Sequence, residues 1–419
     1  MVEFKRSKYL QKLILHKHNH LVKIVTGVRR CGKSYLLFNL FKKHLLDSGV
    51  DASHIIEIVF DDRRNRNLRN PDVCIEYVTS LIKDNQMYYL LLDEVQLMDD
   101  FEDALLTFLH VPNLDTYATG SNSRFLSSDV ITEFRDRGDD IHIAPLSFSE
   151  YAGAFPDKPW NELWEEYFTY GGMPYAALLD SNEEKEDYLK RLFTRTYIKD
   201  IVERYNIQDK QPLEQLINII ASSVGSLANP LKLENAFLSM GKTKLSHVTI
   251  GQYLGYLQDA FLIEQSVRYD IKGKKYISTP SKYYFVDTGL RNARLNFRQN
   301  EENHVMENVI YNELRMRGFS VDVGVVEIKE KQPGGTWQRK QLEVDFVANK
   351  GSRRYYIQSA FMLLDEEKQQ QEERPLLRVD DSFKKIIVVR DNILLRRNDN
   401  GIVTMGLRQF LLEEDSLDL

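Results

Sequence analysis

The fold of this chain is decided by one short stretch of sequence, Gly27-Val28-Arg29-Arg30-Cys31-Gly32-Lys33-Ser34. The stretch matches the pattern G-x-x-x-x-G-K-S, and it stands between an apolar run, residues 21–25, and a helix-like stretch, residues 34–46. Glycines let the backbone turn tightly around a phosphate chain, and the loop amides and the helix N-terminus then face the anion. In this context the pattern predicts a nucleotide-binding loop, in which Lys33 contacts the β- and γ-phosphates and Ser34 holds Mg²⁺.

Two adjacent carboxylates, Asp93 and Glu94, follow an apolar run that spans residues 87–92. Such a run is typical of a strand that is buried on both faces of a parallel sheet, and ligands bind at the carboxyl ends of these strands. With the loop upstream, the pair predicts that Asp93 completes the Mg²⁺ shell and that Glu94 polarises the attacking water. The alternative is a strand that merely ends in a polar cap.

The next apolar run reads TYATGSNS over residues 116–123. NTPases with a catalytic glutamate commonly insert one strand between the loop strand and the acidic strand, and the inserted strand ends in a polar residue near the γ-phosphate. Ser121 and Asn122 are the candidates, and we take Asn122 as the predicted catalytic residue. A Gly-Ser-Asn turn that caps a following helix explains either residue equally well.

A charged segment, FRDRG over residues 134–138, precedes a fifth strand at residues 141–144. An arginine at the edge of such a domain can neutralise transition-state charge in its own subunit or in a neighbouring one. Arg135 and Arg137 are the candidates, and we take Arg137 as the predicted catalytic residue. The alternative is a solvated charge cluster.

Composition excludes several classes of protein. The 419 residues are 42% hydrophobic and 28% charged, as is ordinary for a globular protein with several cores. The net charge of -6 excludes a polycation that coats nucleic acid, although a local basic face is compatible with it. The two cysteines, Cys31 and Cys74, form no disulfide framework, so a reducing cytoplasm is expected. No stretch approaches the ~18 apolar residues of a membrane helix.

Several motifs together resemble those of the AAA+-type ATPases of bacteria and archaea, in particular the group with a C-terminal domain of unknown function. They are GVRRCGKS (27–34), LLLDE (90–94), TGS (119–121), PLSFSEY (145–151), YGGMP (170–174) and FVDTGL (285–290). The resemblance covers nearly the whole chain. It implies that ATP is bound and hydrolysed with Mg²⁺, and that the mostly helical residues 151–206 close over the nucleotide as a lid.

The segment 207–300 differs in charge from the rest of the chain. It contains twelve Lys and Arg against seven Asp and Glu, a local charge of +5. Helical spacing at residues 213–222, 231–240 and 249–263 is followed by two strand-like runs that flank the basic turn KGKK, residues 272–275. Three helices and a basic hairpin outline a winged helix, which binds DNA through its third helix and its wing. The alternative is a spacer between proteins.

The C-terminal segment is similar to the restriction-endonuclease-like fold. Its candidate acids are Glu307 on a helix and Asp345 on a strand, and that fold requires Glu-x-Lys on the next strand to complete a Mg²⁺ site. Here the triplet is Gln358-Ser359-Ala360, so a neutral amide and a methyl group replace the acid and the base. We therefore predict a degenerate nuclease site at Glu307, Asp345 and Gln358 without nuclease activity. The alternative roles of the two acids are structural.

The predicted fold class is a multidomain α/β protein. Its parts are a P-loop ATPase domain with a parallel sheet (1–150), a helical lid (151–206), a winged-helix-like domain (207–300) and a nuclease-like α/β domain (301–419). The leading functional hypothesis is an ATPase that acts on DNA or on a partner bound to DNA. The second is an ATP-controlled signalling or defence switch, and the third, disfavoured, is an ATP-dependent nuclease. An arginine that acts across subunits would require a homo-oligomer.

Overall fold

A computed structural model describes residues 3–120, 137–239, 245–298, 301–331, 337–363 and 366–419. The chain folds into two compact units. Unit 1 comprises residues 1–146 and 259–261, and unit 2 comprises residues 147–258 and 262–419. No helix in the described ranges has the length and apolar character that crossing a membrane requires.

Unit 1 alternates strands and helices along the chain. Its strands are β1 (Val22–Thr26), β2 (Ile55–Val59), β3 (Tyr88–Asp93), β4 (Leu114–Thr119) and β5 (Gly138–His142). Its helices are α1 (Ser7–Leu15), α2 (the consecutive segments Lys33–Tyr35, Leu36–Phe41 and Lys42–Asp47), α3 (Pro71–Leu81) and α4 (Phe101–Leu109).

The described strands of unit 1 form a five-stranded sheet in the order β2-β3-β4-β1-β5, and every neighbouring pair is parallel. The parallel sheet with helices confirms the predicted fold class. β4 lies between β1 and β3, as expected for an inserted strand between the loop strand and the acidic strand. Every residue of β1, β3 and β4 is buried. The continuous apolar run of β3 is thus explained, since helices cover both faces of such a sheet.

Unit 2 begins with helices. They are α5 (Phe148–Ala154), α6 (Trp160–Tyr170), α7 (Pro174–Ala177), α8 (the consecutive segments Asn182–Leu192, Phe193–Ile198 and Lys199–Arg204), α9 (Gln211–Ser222), α10 (Pro230–Ser239) and α11 (His247–Asp259). Later helices are α12 (Thr288–Arg294), α13 (Glu302–Met316), α14 (Glu366–Leu377) and α15 (Leu407–Leu412).

The sheet of unit 2 is mixed and has eight strands in the order β12-β13-β11-β10-β9-β8-β6-β7. The strands are β6 (Ile263–Asp270), β7 (Lys275–Phe285), β8 (Ser320–Lys331), β9 (Trp337–Lys350), β10 (Arg353–Ala360), β11 (Lys384–Val389), β12 (Arg396–Arg397) and β13 (Val403–Gly406). β6 and β7 form the antiparallel hairpin that the sequence indicates as a wing. β6 also pairs in parallel with β8, so one sheet extends across the predicted boundary at residue 300.

Two of the motifs that lie outside the nucleotide loop pack against each other in unit 2. The buried carboxylate of Asp287, at the N-terminus of α12, accepts hydrogen bonds from the backbone amides of Gly172 at 2.7 Å and Leu290 at 2.9 Å. Thr288 and Asn292 donate to carbonyls in the last turn of α6. The motifs YGGMP and FVDTGL therefore form one buried joint, which satisfies carbonyl groups that a helix end leaves unpaired.

Gly289 is the tightest point of this joint. A Cβ atom at Gly289 would lie 1.9 Å from the carbonyl oxygen of Tyr170, closer than any real contact. That oxygen belongs to the backbone, so no flexible side chain can move aside to relieve the clash.

We expect Gly289→Ala to destabilise unit 2 by about 3 kcal/mol, because the added methyl group forces the two backbones apart. The measurement is urea unfolding followed by tryptophan fluorescence, since all three tryptophans belong to unit 2. Gly251→Ala is the matched control: Gly251 is exposed on α11, and a Cβ there meets nothing within 4 Å. The control should be stabilised by up to about 1 kcal/mol, and equal unfolding midpoints for the two variants would contradict the role of the joint.

Candidate functional site

The backbone of the loop at residues 27–34 adopts conformations that its glycines permit. Gly27 has φ 141° and Gly32 has φ 103°, in the region that side chains rarely enter. A Cβ atom on Gly27 would lie 2.2 Å from the carbonyl oxygen of Ile143. The loop therefore turns closely past the residue that follows β5, and α2 begins directly after Gly32.

Lys33 is the first residue of α2, and its side chain turns back over the loop. The ammonium donates to the carbonyl oxygens of Gly27 at 3.0 Å and Val28 at 3.2 Å. The residue is buried, with 5% of its surface exposed. The cation is thus held at the loop by the loop's own backbone, which is where an anion bound to the loop amides would meet it.

Asp93 is the buried end of β3, and the hydroxyl groups of two other segments donate to it. Ser34 Oγ donates to Oδ1 of Asp93 at 3.0 Å, and Thr119 Oγ1 donates to the same oxygen. Burial raises the pKa of Asp93, although both hydroxyl groups act to lower it, and the carboxylates of Glu94 and Asp61 raise it further. A cation near this carboxylate would relieve that electrostatic cost.

The oxygen atoms of Ser34 and Asp93 fit a Mg²⁺ ion that enters the site bound to a nucleotide. Ser34 Oγ, at the start of α2, and Asp93 Oδ1, at the end of β3, are hard oxygen donors that could hold such an ion. Among the described residues, no group of three or more His, Cys, Asp or Glu is arranged to hold a metal ion. Mg²⁺ in such sites uses one or two protein oxygens, phosphate oxygens and water, so a larger protein cage is not required.

Glu94 follows with a strained backbone, φ 52° and ψ 45°, a left-handed conformation that costs a non-glycine residue about 1–2 kcal/mol. Its amide donates to Thr119 Oγ1 at 3.1 Å, and its carboxylate accepts a hydrogen bond from the side-chain amide of Gln96. The Glu94 residue is half-buried at this turn.

Thr119 is a positioning residue that the sequence interpretation missed. Its hydroxyl donates to Asp93 and accepts from the amide of Glu94, so one side chain joins both acids. The pairing Leu92 with Ala118 in the β3–β4 register places Thr119 directly beside Asp93. The sequence does contain a signal for it: if the carboxyl ends of the runs at 87–92 and 116–119 are aligned as neighbouring parallel strands, Thr119 falls beside Asp93.

Three candidates, Ser121, Asn122 and Arg135, lie outside the described residues, so the structure does not test them. Arg137 is described and exposed. Its carbonyl accepts from the amide of Val22, the first residue of β1. The loop follows the last residue of β1, about 13 Å further along the strand. Arg137 therefore lies at the opposite end of β1 from its own loop, and its catalytic role stays a prediction.

Unit 2 brings the three predicted nuclease-like residues together. The amide of Asp345 donates to Oε1 of Gln358 at 3.3 Å, and the ammonium of Lys282 lies 2.8 Å from Oε1 of Glu307 and 3.7 Å from Oδ1 of Asp345. Glu343 also pairs with Lys282, at 2.7 Å. Sequence patterns pointed to neither Glu343 nor Lys282, because Lys282 lies in the segment assigned to the winged helix.

Comparison with protein families finds matches to two segments of the chain. Residues 19–152 match the model of an AAA domain, and residues 161–301 match the model of a domain of unknown function, DUF8612. The parallel sheet, the loop and this match define the class: the chain contains a P-loop domain of the AAA type.

Two relatives resemble the chain over most of its length. An uncharacterized protein of Haemophilus influenzae is 32% identical over 388 residues, which cover 91% of this chain and 92% of that protein. An uncharacterized protein of Methanocaldococcus jannaschii is 29% identical over 365 residues, 84% of this chain and 76% of that protein. The chain belongs to the same family as the Haemophilus influenzae protein.

Among solved structures, the chain is similar to the Orc1 protein of Aeropyrum pernix in complex with DNA. The TM-score is 0.33 with 10% sequence identity, over 70% of this chain and 92% of that one. Similarity this distant carries no functional inference.

We expect Thr119→Val to loosen the turn after β3, because valine keeps the shape of threonine but leaves the Glu94 amide without its acceptor. A lost buried hydrogen bond costs about 1–3 kcal/mol. Amide hydrogen exchange in a peptide covering residues 93–97 should therefore accelerate about 5- to 150-fold. Thr119→Ser retains the hydroxyl and should stay near the wild-type rate. Equal exchange in the valine and serine variants would refute the positioning role.

Proposed function

We propose that the protein is a Mg²⁺-dependent ATPase of the AAA+ type, which couples ATP hydrolysis to the binding of DNA or of a partner. The observation that supports this most directly is the hydrogen-bonded chain from Ser34 through Asp93 and Thr119 to Glu94. It joins a cation-binding pair to a carboxylate that is held apart on a strained turn. Binding alone would require the loop and the cation pair, but not a second acid fixed in this way.

Each residue then has a distinct role. The amides of the loop at residues 27–34 and the ammonium of Lys33 hold the phosphates, and Ser34 and Asp93 hold Mg²⁺. Bound Mg²⁺ neutralises charge on the phosphate oxygens. Glu94 orients and polarises the attacking water, while Thr119 and Gln96 hold Glu94 in place. The loop residues Val28, Arg29, Arg30 and Cys31 contribute mainly backbone amides; the Cys31 thiol is buried and contacts the carbonyl of Ile143.

A basic turn supports DNA as the partner. Lys272, Lys274 and Lys275 are all exposed around the turn between β6 and β7, in the segment that carries a local charge of +5. Lysines attract the phosphate backbone without reading its sequence. We retain the interpretation of residues 207–300 as winged-helix-like on this basis, with the turn as the wing, although β6 and β7 belong to the larger sheet.

A different observation favours a switch that binds a protein. Leu231 and Leu238 lie seven residues apart on α10 and are 58% and 49% exposed, and Val248 on α11 is 60% exposed. The spacing of seven residues places the two leucines on one face of α10, and exposed apolar faces mark protein interfaces. ATPase rates measured with and without several forms of DNA separate the two candidates. Stimulation by DNA favours the ATPase that acts on DNA. Slow, unstimulated turnover together with nucleotide-dependent partner binding favours the switch.

The exposed position of Arg137 leaves it accessible to the site of a neighbouring subunit. In this proposal the active form is a homo-oligomer, and its mass in solution increases when ATP is bound. If the protein stays monomeric in the presence of ATP, Arg137 has no catalytic role in a neighbouring subunit.

We expect Lys33→Ala to weaken ATP binding at least about tenfold, or ~1.4 kcal/mol, because the cation that faces the β- and γ-phosphates is lost. Equilibrium binding of a fluorescent ATP analogue measures the change. Lys42→Ala is the matched control, since Lys42 lies on the same helix and pairs with Glu57 at the surface. Unchanged binding by Lys33→Ala would overturn the proposed nucleotide site.

We expect Glu94→Gln to retain ATP binding and to slow hydrolysis by about 100- to 10,000-fold, since the amide cannot accept a proton from water. Phosphate release under saturating ATP measures the rate. Glu76→Gln changes an exposed glutamate on α3 in the same way and should leave the rate unaltered. Wild-type turnover by Glu94→Gln would assign the water-polarising role to another residue.

A further inference from the structure

Lys282 occupies the middle of the acidic cluster in unit 2. Its side chain is 3% exposed, and its ammonium lies 2.7 Å from Oε1 of Glu343, 2.8 Å from Oε1 of Glu307 and 3.7 Å from Oδ1 of Asp345. The lysine comes from β7, Glu307 from α13, and the other two acids from β9. The cation from β7 therefore lies among carboxylates from two other elements, α13 and β9, which are distant from it in sequence.

The carboxylates are engaged by further donors. Tyr284 donates its hydroxyl hydrogen to Oε1 of Glu307 at 2.6 Å, and the amide of Ser359 donates to Oδ2 of Asp345 at 2.8 Å. Gly225, which has φ 74°, lets a backbone turn lie against Glu307, because a Cβ there would be 2.9 Å from Oε2. The cluster is a network of hydrogen bonds and ion pairs with Lys282 as its cation.

Electrostatics keep this lysine charged. Burial opposes the charge, but the carboxylates of Glu307, Asp345 and Glu343 outweigh it and raise the pKa of Lys282 well above its ordinary value. Burial also raises the pKa of Asp345, against the attraction of Lys282. Removing the ammonium would leave acids in a buried site without a counter-ion, which is strongly unfavourable.

The same arrangement does not fit a divalent metal ion. Mg²⁺ requires oxygen ligands at about 2.0–2.1 Å in octahedral geometry, so it would have to displace the ammonium from Glu307 and Glu343. At Gln358 and Ala360, where the nuclease-like pattern needs an acid and a base, the chain supplies no charge. In the described part of the chain, no set of three metal-binding side chains is arranged as a metal site.

We propose that the ammonium of Lys282 takes the place of a divalent cation in the cluster of Glu307, Glu343 and Asp345, so that these acids are held together without a metal ion. The lysine joins β7 to α13 and β9 as a permanent cation. This site then has a structural function, and it does not supply the activated water that phosphodiester cleavage needs. The inference concerns unit 2 and is independent of nucleotide chemistry at the loop.

As Glu307, Glu343 and Asp345 stand around the ammonium, they are not arranged to hold a metal ion. The proposal predicts that removing the lysine lets these acids move together around one. We expect nucleotide-free, full-length Lys282→Ala to bind one more Mn²⁺ ion per chain than the wild type, counted by electron paramagnetic resonance. Mn²⁺ should also raise the urea midpoint of unit 2 in this variant, measured by tryptophan fluorescence, and leave the wild-type midpoint unchanged. The gain should vanish in the double variant Lys282→Ala/Asp345→Asn.

Two further variants make the test specific. Lys350→Ala removes an ammonium that donates to the backbone carbonyl of Arg317 at 2.7 Å, and this variant should gain no Mn²⁺. Lys282→Met keeps the aliphatic stem, so it separates loss of charge from the cavity that alanine leaves; it should gain the same ion.

Three results would overturn the proposal. The first is that both Lys282 variants, in the presence of Mn²⁺, gain no ion or stay unfolded. The second is a Mn²⁺ ion bound by the wild type that Asp345→Asn removes. The third is Mn²⁺-dependent DNA cleavage by the wild type that Lys282→Ala abolishes, which would make Lys282 a catalytic base of an active nuclease.

Discussion

The carboxylate of Asp93 is the group on which the candidate nucleotide site depends. Parallel pairing of β1, β4 and β3 brings the loop, Thr119 and the acidic pair to one edge of the sheet, and Asp93 accepts hydrogen bonds from both Ser34 and Thr119. Because side chains alternate between the faces of a strand, a shift of one residue between β3 and β4 would separate these groups. The strained turn at Glu94 is stabilised because the same hydroxyl of Thr119 accepts a hydrogen bond from the Glu94 amide.

Unit 2 stabilises its buried acids by two other means. The carboxylate of Asp287 accepts hydrogen bonds from backbone amides of two chain segments. The two segments lie so close together that a Cβ on Gly171 or Gly289 would clash, and this explains the glycines of the YGGMP and FVDTGL motifs. Burial nevertheless raises the pKa of Asp287 to about 6, so the amides only partly compensate for lost solvent. Glu307 and Asp345 instead share a lysine. A buried carboxylate needs partners to replace the lost water. These partners are two hydroxyl groups at Asp93, backbone amides at Asp287, and an ammonium at Glu307 and Asp345.

The sheet of unit 2 joins the two regions for which a role beyond nucleotide binding is proposed. The basic turn at residues 272–275 and the lysine of the acidic cluster lie on the same hairpin, because β7 carries Lys282. β6 then continues the hairpin into the sheet through its parallel pairing with β8. Any partner that binds the turn would therefore act on a strand that is held by the cluster, without a flexible linker between them.

The sequence by itself determined the parallel sheet of unit 1, the loop at residues 27–34 and the position of Asp93 and Glu94 at a strand end, because periodicity and local spacing encode these features. Only the tertiary structure decided that Thr119 joins the two acids, that Arg137 lies at the far end of β1, and that β6 belongs to a sheet beyond residue 300. It also placed Lys282 beside Glu307 and Asp345. These features depend on strand register and on pairing between distant segments, which side-chain periodicity does not record.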